Sequence, residues 1–281
     1  MLVLHGGLGF DHTYLRPGLD LLSNSVELIY YDHRGNGRSA EPERWQEVTH
    51  ATWADDADVL RKELGHERVI LFGHSYGGFL ALEYALRHPD RVAGLVLCAT
   101  LPNLAQWAAA VARAQARARP AIFDALLEVF SAPAREDNAF ADQCRTVLPL
   151  YFHREPAPAV LALFGAMRYR AGAFQHAALH CLPHYDVLPR LREIHAPVLL
   201  LAGRHDWLAP EEESNRIAAE APNAQVVVFE ESGHYPFLEE PERFVTAIDE
   251  WLARLPDPAP PCARPGPQAA AWQRCSSNAE R

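Results

Sequence analysis

The chain has 281 residues, a formal net charge of −10 at pH 7, and apolar and charged shares of 49% and 22%. That is enough for one large globular α/β unit plus an insertion. The acidic balance excludes nucleic acid or an anionic membrane surface as a partner, and no apolar run is long enough to span a bilayer.

Strand-like and helix-like segments alternate along most of the chain. The first, 1–5, is the apolar Leu2-Val3-Leu4, which runs straight into the glycine-rich loop His5-Gly6-Gly7-Leu8-Gly9. A strand over 26–32 leads into Asp32-His33-Arg34-Gly35-Asn36-Gly37-Arg38-Ser39, read as a glycine-rich reversal whose Asp and Arg tie loops together. A helix over 53–65 stops at Gly65. A strand over 68–73 then enters Gly73-His74-Ser75-Tyr76-Gly77-Gly78, and a helix over 75–88 stops before Pro89. The strand 92–98 is nearly all apolar, as parallel strands covered on both faces must be, and ends in a buried Cys98.

Between 101 and 185 the rhythm breaks into an Ala/Arg-rich stretch with interleaved aromatics, from Trp107, Phe123 and Phe130 to Phe174. It reads as a helical cap, some of whose aromatics pack its own core while others line an apolar substrate pocket. The alternation resumes with strands 197–202 and 224–229 and helices 213–221 and 241–254. The pattern predicts a mostly parallel open sheet with right-handed crossovers and helices on both faces. The core then spans 1–100 and 186–255, the cap 101–185, and the Pro/Ala-rich segment 256–281 is expected to be disordered; Trp272 within it could dock on the body.

Five scattered cysteines (98, 144, 181, 262 and 275) form neither a metal pattern nor a disulfide framework. With no visible signal peptide, they suit a reducing cytoplasm. The fourteen histidines are not expected to make a metal site, with neither H-x-x-x-H nor H-E-x-x-H spacing expected on a helix. No cofactor is implied, and the sequence gives no oligomeric state.

The chemistry concentrates at three points. G-x-S-x-G between a strand and a helix holds a serine in a strained turn with its hydroxyl above the sheet, which makes Ser75 the candidate nucleophile. A serine hydroxyl needs a base, and the base needs an orienting acid. Asp206 follows the strand Val198-Leu199-Leu200-Leu201-Ala202, and His234 follows Val226-Val227-Val228-Phe229, giving the order Ser, Asp, His. Rival assignments are His205 as base and Glu230 or Glu231 as acid; His74, inside the elbow, is read as a packing or hydrogen-bonding residue. A developing oxyanion needs preorganised donors, for which the backbone N–H groups of Tyr76 and Gly7 are the candidates.

HGGLG, DHRGNGRS, GHSYGG, LLLAGRHDWLAP and SGHYPFLEEPERF stand in the order and spacing of the α/β-hydrolase family, which the chain resembles over 1–100 and 186–255. HGGLG followed by Tyr14 also resembles the proline iminopeptidase branch, which implies release of N-terminal residues from short peptides. Leu8 stands where that branch has proline. The glutamates with which it holds the substrate's free amine have no clear counterpart, Glu128, Glu136, Asp137 and Glu155 being the available carboxylates. The family normally carries a β-hairpin before the HGG strand. Its absence implies a truncated or misassigned start, an exposed sheet edge and marginal stability, to be checked by adding back an upstream segment.

Three functions are in view. The leading one is a serine hydrolase acting through an acyl-enzyme on an ester, amide or lactone of a small, fairly apolar molecule. The second is an iminopeptidase-like aminopeptidase, and the third a non-catalytic small-molecule binder on a hydrolase scaffold.

Overall fold

The computed structural model describes residues 1–255; the expectations for 256–281, including Trp272, lie outside them. Six strands form one sheet: β1 (Leu2–Leu4), β2 (Ile29–Tyr30), β3 (Val69–His74), β4 (Val92–Cys98), β5 (Val198–Gly203) and β6 (Ala224–Phe229). Their order is β2-β1-β3-β4-β5-β6 and every pairing is parallel. The apolar runs explain the central strands, since every residue of β5, and all but one each of β3 and β4, is buried. β2 is shorter than the strand expected over 26–32. It sits at the sheet edge, is only half-buried, and has a single partner.

The helices are α1 (Arg16–Leu19), α2 (His50–Glu63), α3 (Tyr76–Arg87), α4 (Trp107–Arg117), α5 (Pro120–Ser131), α6 (Asp137–Val147), α7 (Pro158–Gly165), α8 (Ala171–His176), α9 (Glu211–Glu220), α10 (Pro236–Glu239) and α11 (Pro241–Leu252). α2 packs on α3, while α1, α10 and α11 form a separate packed group. The apolar stripe of α11 puts Phe244 against Phe72 and Phe229 of the sheet. Thr49 caps α2 through a reciprocal bond with Thr52, so that helix starts three residues before the expected 53.

Helices α4 to α8 lie between β4 and β5, in the stretch where the alternation fails. The two ends of this excursion meet at an antiparallel bridge between Asn103 and Asp186. The Val187 N–H donates to the Pro102 carbonyl, and the Asn103 amide donates to Asp186.

From β1 the chain goes first to β2 on one side and then crosses to β3 on the other. The carboxyl ends of β1 and β3 therefore flank the point where strand order reverses, the usual ligand crevice of an open α/β sheet.

Candidate active site

Ser75 sits at that crevice, on the turn between β3 and α3, with φ 53° and ψ −119°. This is a strained conformation for a residue with a Cβ, and the surrounding glycines account for how it is held. A Cβ on Gly77 would lie 2.1 Å from the Leu4 carbonyl oxygen, and one on Gly78 would lie 2.4 Å from Thr100 Oγ1. α3 can therefore approach β1 and the loop after β4 only without those side chains. The turn is pinned from both sides: the Ser75 N–H donates to the Cys98 carbonyl and Thr100 Oγ1 donates to the Ser75 carbonyl, both at 2.8 Å.

Asp206 and His234 come from loops after β5 and β6. Both are buried, and His234 Nδ1 donates to Asp206 Oδ2 at 2.6 Å. The other carboxylate oxygen accepts the Leu208 N–H at 2.9 Å. With Nδ1 committed as a donor, Nε2 is left as the acceptor. Ser75 and His234 line one cavity of about 130 Å³. No hydrogen bond joins the Ser75 hydroxyl to His234 among the described residues.

Gly7, at φ +62°, and Tyr76, the first residue of α3, line the same cavity. Their backbone N–H groups have no acceptor among the described residues. For Tyr76 this follows from its place at a helix start, where N–H groups lack intrahelical partners.

A hydrogen-bond chain connects these pieces. His74 Nε2 donates to the His234 carbonyl at 2.9 Å, which leaves Nδ1 to accept from the Tyr14 hydroxyl at 2.8 Å. The Tyr14 oxygen accepts the Gly6 N–H at 2.7 Å. Burial, and then the neighbouring His234, hold the His74 pKa well below its ordinary value, so the ring is a neutral bridge. The packing or hydrogen-bonding reading of His74 agrees with this, whereas its link to Tyr14, sixty residues away, leaves no trace in local sequence.

The rest of the cavity wall is apolar and aromatic. Trp107, Phe130, Tyr151 and Phe174 of the 101–185 stretch reach it, whereas Phe140, Phe152, Phe164 and Tyr169 are buried where that stretch meets Phe10, Tyr14 and Tyr235 of the sheet-bearing part. The wall contains no Asp, Glu, Lys or Arg side chain. Glu128, Glu136 and Glu155 are exposed, and Asp137 faces outward to accept from Arg170 and from the Ala171 N–H.

The family model described as "alpha/beta hydrolase fold" matches residues 1–241. The chain belongs to the alpha/beta hydrolase fold family. A proline iminopeptidase from Saccharolobus solfataricus is 26% identical, over 91% of this chain and 85% of that protein. A solved proline iminopeptidase from Mycobacterium smegmatis superposes with a TM-score of 0.72 at 25% identity, covering 90% of this chain and 88% of that one. A thermophilic esterase from Thermogutta terrifontis gives the same TM-score at 28% identity, over 90% and 89%.

In this alpha/beta hydrolase the rival residues lie elsewhere. The His205 ring stacks on His153, centroids 3.7 Å apart. Glu230 pairs with Arg204 and Glu231 with Arg154, both at the exposed surface. In the Asp32 loop, burial pushes the Asp32 pKa up, but hydrogen bonds from the His12 ring and the Arg38 N–H outweigh it and hold the carboxyl well below the usual range. Asn36 accepts the Gly9 N–H at 2.9 Å, so this loop braces the Gly7 turn.

Against the expectation that no H-x-x-x-H spacing falls on a helix, His176 and His180 stand four residues apart in consecutive helical turns, with His184 four further on. His176 Nε2 is bonded to the Val48 carbonyl. No group of three or more His, Cys, Asp or Glu side chains is placed to hold a metal among the described residues. No helix of the described residues is long and apolar enough to cross a membrane.

Proposed function

We propose that this hydrolase cleaves an ester, amide or lactone of a small, apolar acyl compound through a covalent acyl-enzyme. Ser75 Oγ attacks the carbonyl carbon while His234 Nε2 takes its proton. Asp206 holds the imidazole in the productive tautomer and stabilises its cation. The N–H groups of Gly7 and Tyr76 receive the negative charge that develops on the carbonyl oxygen. His234 then protonates the leaving alcohol or amine, activates a water for deacylation, and Ser75 is regenerated. The open Ser75–His234 link fits catalytic contacts that tighten only when substrate is bound.

One observation supports an uncharged acyl substrate: the cavity that Ser75 and His234 share has no carboxylate in its wall. A peptide's protonated amine would be desolvated there without a partner, at a cost of several kcal/mol. An uncharged acyl chain would instead gain about 25 cal/mol for each Å² it buries. The aminopeptidase reading rests on the iminopeptidase relatives. It requires the substrate's amine to lie outside this cavity.

A fluorophosphonate probe should label Ser75 in wild-type protein and leave Ser75→Ala unlabelled. Para-nitrophenyl esters of short fatty acids should then exceed proline and alanine para-nitroanilides in kcat/KM by at least about 100-fold, the weight of one unpaired buried charge. Faster turnover of the anilides would select the aminopeptidase. A folded protein that the probe does not touch would select the non-catalytic binder.

A further inference from the structure

His234 is held by more than Asp206. The cap segment Tyr151-Phe152-His153 lies across the loop that carries it. The His234 N–H donates to the Tyr151 carbonyl at 2.7 Å. Gly233 has no room for a side chain, since a Cβ there would lie 2.5 Å from the Tyr151 oxygen and 3.0 Å from the His153 nitrogen. Glu239, in α10, bridges the two: one carboxylate oxygen accepts the His153 N–H at 2.7 Å and the other the Gly233 N–H at 2.8 Å. The same segment reaches the acid loop, because Arg117 donates to the carbonyls of both Phe152 and His205, and the His153 ring stacks on His205.

We propose that Glu239 is a positioning residue: its carboxylate locks the cap segment 151–153 to the histidine loop, so that the placement of the cap sets the placement of the His234 imidazole. The inference rests on the serine-hydrolase reading for its kinetic consequence, but not for the physical coupling itself. A carboxylate can accept both N–H bonds at once. The protonated acid keeps one good acceptor and turns its other oxygen into a donor facing an N–H.

Burial raises the Glu239 pKa to about 7, with the backbone N–H groups of His153, Gly233 and Tyr235 opposing and Asp206 adding to the rise. The lock therefore loosens as pH falls through neutrality. The charged and titratable groups around it are Asp206, His205, His234 and Glu231 on the two loops, His153, Arg154 and Arg117 on the cap side, and Glu240 and Arg243 at the α10–α11 junction. Arg154 pairs with Glu231 and Arg243 with Glu240, so Glu239 has no cationic partner of its own among the described residues.

The test compares wild type with Glu239→Gln, a neutral mimic of the protonated side chain. Two readouts are followed: kcat/KM for a para-nitrophenyl ester from pH 5 to 9, and amide hydrogen exchange in peptides containing His153 and Gly233. The wild-type profile should show a partial step of roughly tenfold centred near pH 7, and Glu239→Gln should sit on the lower plateau throughout with that step gone. The loss should fall on kcat, because the acyl pocket is unaltered. Exchange at both amides should speed up together in the variant, while amides in β4 and β5 stay protected.

A wild-type profile without a step near pH 7, or exchange at His153 and Gly233 that matches wild type in Glu239→Gln, overturns the proposal. Should the variant not fold, wild-type exchange decides: at His153 and Gly233 protection should fall together as pH drops through 7, and protection that stays level overturns the proposal. Should the fluorophosphonate fail to label wild type, the hydrolase reading falls, while the exchange comparison still judges the lock.

Discussion

At the scale of single residues, Gly77 shows how little freedom the reactive turn has. An added methyl would meet the Leu4 carbonyl at 2.1 Å, and a second carbonyl, that of His5, at 2.6 Å. Both contacts are backbone, so neither can swing aside. Gly77→Ala should lower stability by about 2–3 kcal/mol, by the usual cost of overpacking, and should slow fluorophosphonate labelling of Ser75; thermal unfolding and probe kinetics measure the two effects. In the proposed mechanism Ser75→Ala and His234→Ala would remove the attacking and proton-carrying groups, and each should cut kcat/KM by roughly 10⁴-fold or more. Asp206→Asn should be nearly as severe with the fold intact, because an amide can present its NH₂ group to the imidazole and stabilise the wrong tautomer. If His205→Ala lost activity while His234→Ala kept it, the base would be misassigned.

The placement of Ser75, Asp206 and His234 at strand ends was legible because the signals are local: a strained serine turn needs glycines next to it, and a loop after a buried strand follows an apolar run. Tyr14, Glu239 and Gly233 act through partners 60, 86 and 82 positions away (His74, His153 and Tyr151). No spacing rule reaches that far, although all three stand inside or beside the motifs the sequence reading picked out.

At the scale of elements, the β/α alternation gave the sheet nearly complete. Hydrophobic runs locate buried parallel strands well, and β4 and β6 begin and end where the apolar pattern does. Of the two edge strands, β6 pairs with β5 along its whole apolar run, whereas β2 meets the three-residue β1 at only two positions and ends where that pairing ends. The cap was legible only as helical. Its helices are short and amphipathic, and which aromatic faces inward depends on how five of them pack around one another.

Phe130 tests the division. It lines the cavity and its ring contacts Trp107 and Phe174, with centroids 4.9 and 6.0 Å away. Phe130→Ala should lengthen the acyl chain preferred among para-nitrophenyl esters by about two to four carbons, since each buried methylene contributes about 0.8 kcal/mol. Unfolding should show a moderate loss, because the ring is only partly buried. An unchanged chain-length profile would place Phe130 outside the acyl pocket.

At the scale of the whole molecule, the fold buries imidazoles behind the Gly6–Gly7 and Ser75 turns and keeps them neutral. Burial lowers the pKa of His5, His33 and His74, and His33 and His74 are driven well below the ordinary value. The sign of the consequence follows from linkage. Below pH 6.5 the unfolded chain protonates these rings more readily than the folded chain does. The unfolded state therefore binds more protons, and stability falls as pH drops. Glu239 works the other way, because its raised pKa lets the folded state hold a proton that the unfolded state releases between about pH 4.5 and 7. His50, lowered to about 4 by burial, acts in the same sense, so these four histidines outweigh the one carboxyl near pH 5 and the net effect of lower pH is destabilising. Asp32 adds nothing in this window. Its depressed pKa gives stability that is full above the unfolded carboxyl value and is lost only as pH falls through the folded one. Urea unfolding at pH 7, 6 and 5 should therefore show a midpoint that drops steeply before the carboxylates titrate. In His33→Gln, which removes one protonating ring, the slope should become shallower by about one proton. A midpoint that stays level from pH 7 to 5 would mean that water or charge reaches these rings in the folded state. The neutral bridge from Tyr14 through His74 to the His234 carbonyl would then have to be redrawn.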